Sequence, residues 1–301
     1  MPVLALQARV ESPFTYRGLS DASAAAALDA DRFVVADDER NRLKIYRRGV
    51  ADPRAFVDLS GFLGTRPGKE SDLEGAALVG QRIYWISSHG RSAKGEAQPR
   101  RHRFFATEPN AAAVLAPVGQ ACAGLLDDLI ACPHLQRYRL AGAAAKVPEA
   151  PGGFNIEGLA AAADGSLLIG LRNPMPAGKA LLIPMINPAE VVQGARAAFG
   201  AAIELDLGGL AVRSIDLVGL AFMIVAGPPG NEGGFSLWQW SGTPGDAPRR
   251  LDHPDLRALH PEALFAIPGT RKVQILSDDG GPAAKGLPEA QQTFRSITVT
   301  L

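Results

Sequence analysis

Cysteine is almost missing from this chain: Cys122 and Cys132 are the only two in 301 residues. Ala121, Cys122, Leu125, Leu126, Leu129 and Ile130 follow helical spacing, with Asp127 and Asp128 on the other side. A helix there would hold the thiols about 15 Å apart, too far for a disulfide, so two reduced, half-buried thiols are expected. An excess of charge is missing as well. Lys and Arg together number 31 and Asp and Glu 31, so no global field draws the chain to nucleic acid or an anionic membrane, and neither partner is expected. No apolar run approaches the roughly 18 residues that a membrane-spanning helix needs. Residues 1–9 carry neither a basic leader nor a long apolar core, and the expectation is a soluble, cytoplasmic protein. Also missing are a Gly-x-Ser-x-Gly elbow, a Walker loop, a dinucleotide fingerprint, and the Cys-x-x-Cys and His-x-x-x-His spacings of zinc sites.

What the chain does have is a repeat. Asp72-Leu73-Glu74-Gly75-Ala76-Ala77 leads into an apolar run that closes on Ser87-Ser88-His89-Gly90. Asn155-Ile156-Glu157-Gly158-Leu159-Ala160 leads into another that closes on Arg172-Asn173-Pro174, and His260-Pro261-Glu262-Ala263 into a third that closes on Ser277-Asp278-Asp279-Gly280. Looser copies start at Ser23, closing on Asp37-Asp38, and at Arg213, closing on Gly227-Pro228. Units of this length, made of short β-type runs separated by Gly- and Pro-rich turns, are what a β-propeller leaves in a sequence.

Each unit divides into four strands. The first reads 23–28, 32–36, 43–47 and 55–59; the second 73–78, 82–87, 102–107 and a weak outer strand at 113–118. The third reads 156–161, 166–171, 180–185 and 202–207, and the fourth 212–217, 220–226, 235–240 and 249–252. The fifth has 262–267, 272–277 and 294–301 and then the chain ends, so the alternating run 3–10 is predicted to supply its fourth strand and close the ring. The long interval between the second and third units reads as a helical insertion around 120–140, with a degenerate sixth blade between Asn110 and Gly153 as the alternative. The expected fold is thus all-β: a single five-bladed propeller domain over residues 1–301.

In a propeller the start of each innermost strand and the end of the next strand share one rim. The repeat therefore projects a ring of ionisable side chains onto one mouth of the channel. Loops opening there add Arg91, Lys94, Arg100, Arg101, Lys285, His102, His253 and His260, with only His134 of the histidines outside. Two readings of the repeated Glu stand side by side. It ties the mouth together by pairing with Arg172 and Arg213, with Gly allowing close blade approach, or the three carboxylates act as cation ligands or bases. Residues that differ from blade to blade are not required by the repeat, which directs attention to His89, Arg172, Asn173, Asp278 and Asp279.

These motifs, with Arg101-His102-Arg103-Phe104-Phe105-Ala106 and Val212-Arg213-Ser214-Ile215, together resemble an uncharacterised bacterial family known only as a domain of unknown function. More distantly, the Glu-Gly-Leu repeats are similar to those of phytase-type, esterase-like propellers, whose relatives include metal-dependent phosphoesterases. The resemblance implies a propeller and no substrate. The leading expectation is a mouth that binds a small anionic molecule, with calcium or magnesium as the cation it could use. Here His89, Glu157 and Asp278 are the acid–base candidates. Arg172, Asn173, Arg213 and Ser88 are the ligand-binding candidates, and Glu74, Glu262 and Asp279 the metal candidates. The alternatives are a metal-dependent hydrolase of phosphate esters, carboxylic esters or lactones, and a propeller that binds proteins through its rim. Crowded carboxylates with two arginines among them also lead us to expect a cation or a carboxyl group with a strongly perturbed pKa.

Overall fold

The computed structural model describes residues 9–66, 68–111, 114–252 and 255–301. Among these, the strands fall into five antiparallel sheets. From the inside outward, blade 1 consists of Ala25–Ala27, Arg32–Asp37, Arg42–Arg47 and Ala55–Asp58. Blade 2 consists of Leu73–Val79, Arg82–Ser87, Phe104–Pro109 and Leu115–Cys122. Blade 3 has Asn155–Ala161, Leu167–Asn173, Ala180–Met185 and Ile203–Leu205, and blade 4 has Ala211–Val218, Ala221–Gly227, Ser236–Trp240 and Arg249–Arg250. The hairpins are tight. Gly80 and Gly219 each carry a positive φ, 63° and 65°, at the turn between the two inner strands of blades 2 and 4.

Blade 5 contains Pro261–Ala266, Lys272–Ser277 and Thr293–Thr300, and the N-terminal segment completes it. Arg9 and Val10 pair with Thr300 and Val299, and Phe14–Arg17 then pairs with residues 293–296 of the same strand. The expected closure is therefore present, although residues 3–8 of the predicted strand lie outside the described residues. Sequence reading missed Phe14–Arg17, whose buried Tyr16 stacks on Phe294 at 5.1 Å.

The innermost strands touch in a closed cycle, blade 1 to 2 to 3 to 4 to 5 and back to 1. The core is divided accordingly into five apolar clusters, one between each pair of neighbouring blades. Between blades 1 and 2 sit Val34, Leu43, Trp85 and Phe105; between 5 and 1, Tyr16, Phe33, Tyr46, Phe265 and Phe294. Each blade is sandwiched, so its inner strands are buried on both faces and read as apolar runs rather than alternating ones, while outer strands such as Ala55–Asp58 and Arg249–Arg250 are largely exposed. Polar inner-strand side chains also bind the next blade: Ser214 Oγ accepts the N–H of Leu264 (2.8 Å) and Asp216 that of Ala266 (2.8 Å).

The insertion between blades 2 and 3 is helical, as Leu125–Ala131, a 3₁₀ stretch Pro133–Tyr138, and Leu140–Ala144. Leu125, Leu129, Leu135 and Leu140 cover the interface between blades 2 and 3. Two details differ from expectation. Cys122 ends the outer strand of blade 2, paired with Phe104, instead of starting the helix, because Gly119 and Gly124 interrupt the apolar pattern on either side of it. Asp128 is buried, accepting the N–H of Ala197 (2.8 Å) and pairing with Arg196 Nε at 2.7 Å. Both cysteines are free and half-buried. No helix among the described residues is long and apolar enough to cross a membrane.

Candidate functional site

The repeated charged residue is placed by a backbone irregularity that four blades share. In blade 2, Leu73 pairs with Ser87 and Gly75 with Ile86, so Glu74 is an extra residue with no partner across the ladder. Glu157 is passed over between Ile156 and Gly158, Arg213 between Val212 and Ser214, and Glu262 between Pro261 and Ala263. Each is the bulged residue of an innermost strand, and a bulge re-aims one side chain while the rest of the strand keeps its register. The glycine that follows has a steric reason. A Cβ on Gly75 would meet Ile86 and Leu159 at 2.9 Å, and one on Gly158 would meet Val212 at 2.8 Å.

The four bulges and Ser23 of blade 1 line one cavity of about 290 Å³ at one end of the channel. Of the remaining sequence candidates, Ser88, Arg172 and Asp278 line it too. His89, Asn173 and Asp279 do not. His89 is buried behind Ser88, donates through Nδ1 to the carbonyl of Ser87 (2.8 Å) and stacks on His102; burial pushes its pKa down to about 3, which keeps it neutral. Asn173 donates to the carbonyls of Pro148 (2.9 Å) and Pro229 (3.1 Å). Asp279 is bound by Arg295 at 2.6 and 2.8 Å and by Ser277. Asp37 is held by Lys44 at 2.6 Å, away from the cavity. The side chain of Asp38 and all of His253 lie outside the described residues.

Asp21, Glu70, Asp72, Glu149 and Asn155 were not singled out from sequence, yet all line the cavity, together with Arg91, Arg101 and Lys285 from the loops. Two of them had a signal: Asp72 and Asn155 each stand two residues before the repeated Glu. Asp72 takes φ 58°, in the left-handed region that Asp tolerates better than most residues, and accepts a hydrogen bond from Ser88.

Eight carboxylates and five basic side chains face this space. Four of the five cations are already engaged by carboxylates. Arg172 donates to Glu157 (3.0 Å) and spends its other nitrogens on the carbonyls of Pro229 and Gly230 and on Asn231. Arg213 bridges Glu157 and Glu262, its Nε lying 2.8 Å from Glu157 without the alignment of a hydrogen bond. Arg101 bridges Glu70 and Asp72, and Lys285 holds Glu39 and lies 3.9 Å from Asp21. Arg91 is held by the carbonyls of Ala144 and Gly95.

The carboxyl groups respond to this crowding. Burial pushes Glu157 up to about 7 against the pull of Arg213 and Arg172. Asp278 is pushed up to about 8, first by burial and then by Glu262 and Asp21, and burial raises Asp72 and Asp21 as well. Among the described residues, no group of three or more His, Cys, Asp or Glu side chains is arranged to hold a metal ion. Besides Glu157 Oε2, which faces Arg213, one buried acceptor of the lining lacks a hydrogen-bond partner. Asn155, 5 % exposed, donates through Nδ2 to Glu157 (2.9 Å), which fixes its amide, and its Oδ1 has no hydrogen-bond partner.

The opposite end of the channel has another character. It forms a cavity of about 470 Å³ walled by Ala25, Ala26, Ala27, Ala161, Leu217 and Phe265. Its half-buried carboxylate, Asp216, is spent on the backbone N–H groups of Ala266 and Leu217.

A family model described as "Protein of unknown function (DUF3616)" matches residues 92–274. No curated protein matches the sequence. Among solved structures, the chain is similar to Myxococcus xanthus glutaminyl cyclase at 9% identity and a TM-score of 0.50, covering 97% of this chain and 96% of that one. It is also similar to the PQQ-bound aldose sugar dehydrogenase of Streptomyces coelicolor at 13% identity and a TM-score of 0.48, covering 98% and 99%. At such identities the likeness concerns the fold alone.

Proposed function

We propose a function from the site alone, because the chain belongs to the DUF3616 family, whose description assigns none: the carboxylate-rich cavity binds one small polar molecule that donates hydrogen bonds. The observation that carries this reading is the unpaired, buried Oδ1 of Asn155, a residue that lines the cavity, in a lining where acceptors outnumber free donors. An unpaired buried acceptor costs about 1–3 kcal/mol, which a donor on the ligand recovers.

The anionic ligand expected from sequence draws less support. Arg172, Arg213, Arg101 and Lys285 already face carboxylates, so an anion would depend on Arg91. Metal-assisted hydrolysis has no ligand set among the described residues. The test is calorimetry against polyols, sugars, amines, amino acids and phosphate monoesters. A donor-rich compound should bind, and Asn155→Leu, which removes the acceptor at similar size, should weaken it about tenfold. Tight binding of a phosphate ester that survives Asn155→Leu and is lost in Arg91→Ala would replace this reading with the anionic one.

A further inference from the structure

Asp278 and Asp21 both line the cavity and meet over Gly280, where a Cβ would stand 2.8 Å from Asp278 Oδ1 and nearer still to Asp21 Oδ1; among the described residues neither is joined to an arginine. The pair is built into the fold. The side chain of Asp21 fills the space where a Cβ on residue 280 would stand, so glycine is required there, and the N–H of Gly280 donates to Asp278 at 2.7 Å. Among the described residues, the charged groups that bear on the pair are Glu262, Lys285 and Glu39. Glu262 adds a third negative charge beside Asp278 but is engaged by Arg213; Lys285 lies 3.9 Å from Asp21 but is bound to Glu39, whose charge also bears on Asp21. Two acids held together without a full counter-charge are costly to the fold, and arginine elsewhere in the same cavity shows the usual remedy.

Resting on the polar-ligand reading above, we propose that the cavity selects a small organic cation, a primary ammonium carried on a polar body. Asp21 and Asp278 supply its counter-charge, and the amide oxygen of Asn155 accepts a hydrogen bond from the same molecule. The preference follows from charge: the lining has three more carboxylates than basic groups, eight against five. Burial, with Glu262 and Asp21 close by, makes the ionised form of Asp278 costly, so without ligand the pair keeps one proton at neutral pH. An arriving ammonium does the proton's work and displaces it. The balance is simple: one ammonium enters and one proton leaves the carboxyl pair for solvent, with no bond to carbon made or broken.

Matched probes test this on the full chain. 2-Amino-1,3-propanediol differs from glycerol, and glucosamine from glucose, by one amino group in place of a hydroxyl. The amine of at least one pair should bind at least tenfold more tightly than its neutral twin. Calorimetry in buffers of different ionisation enthalpy should detect release of about one proton, and affinity should rise close to tenfold per pH unit through the range below about 7. Asp278→Asn should keep the wild-type melting temperature at pH 5, abolish the proton release and remove the preference for the amine; Asp21→Asn is the second variant should the first fail to fold. Neutral twins that bind as tightly as the amines, without proton release, overturn the cation while leaving the polar-ligand reading standing. Binding by none of the four compounds overturns both.

Discussion

A carboxyl group taken out of water beside other carboxylates keeps its proton, and Asp278 is held in this way next to Glu262 and Asp21. Its pKa near 8 in the fold, against a normal value of 3.8, has a consequence for stability. Between these values the folded chain binds more protons than the unfolded one, so stability falls as pH rises. The contribution is fully present below about pH 4 and is lost as pH passes through about 8. Asp278→Asn does not titrate and should gain on the wild type by up to about 4 kcal/mol between pH 5 and pH 9. Urea denaturation at both values measures it. A constant difference between the two proteins would show that Asp278 is ionised throughout. Glu157, pushed up to about 7, acts in the same direction and remains in both proteins.

At the scale of the strand, the bulge and the small residue after it form one device. The bulge aims a charged side chain at the channel, and the glycine lets the next blade approach. Gly158 and its ladder partner Gly170 both lie under Val212 of blade 4, where a Cβ would stand 2.8 and 2.7 Å from its Cγ1. Gly158→Ala should therefore force blades 3 and 4 apart and cost about 1–3 kcal/mol. Gly61, in the short helix Ser60–Leu63, has no atom within 4 Å of a Cβ and a φ in the ordinary range. There the same substitution should be neutral or stabilising by about 0.4–1 kcal/mol. Equal losses at the two positions, read by chemical denaturation, would mean that blade contact is not what requires glycine at 158.

At the scale of the molecule, closure depends on the N-terminal segment. Phe14–Arg17 adds an outer strand to blade 5, and Tyr16 enters the aromatic cluster of Phe33, Tyr46 and Phe294 between blades 5 and 1. Tyr46 donates to the carbonyl of Arg17 at 2.7 Å, which joins blade 1 to that segment. Among the described residues, removal of 1–12 takes away the short pairing of exposed Arg9 and Val10 and the contacts of Glu11, and it should lower the melting temperature less than the longer truncation. Removing residues 1–17 should lower it by about 10 °C or more, because a buried aromatic and a strand are lost together. A gradual decline across both truncations would place the closing contacts nearer the terminus than Tyr16.

Local pattern was enough to reveal the five units and most of their strands, because a buried strand must be apolar and a turn must be Gly, Pro or a short polar residue wherever it lies. It also revealed the positions from which charge is aimed at the channel: Glu74, Glu157, Arg213 and Glu262 stand out as polar residues in apolar strands. Which neighbours join them could not be read the same way. Adjacent residues at a strand end point in opposite directions, so Ser88, Arg172 and Asp278 reach the cavity while His89, Asn173 and Asp279 turn to backbone carbonyls or Arg295. Asp21, Glu70 and Glu149 arrive on connections outside the repeat, and their place depends on how five separately specified blades close into a ring. Charge compensation is likewise a property of that closure. Only when Arg213 of blade 4 lies between Glu157 of blade 3 and Glu262 of blade 5 is it settled which carboxylates are paired, and that Asp21 and Asp278 face one another.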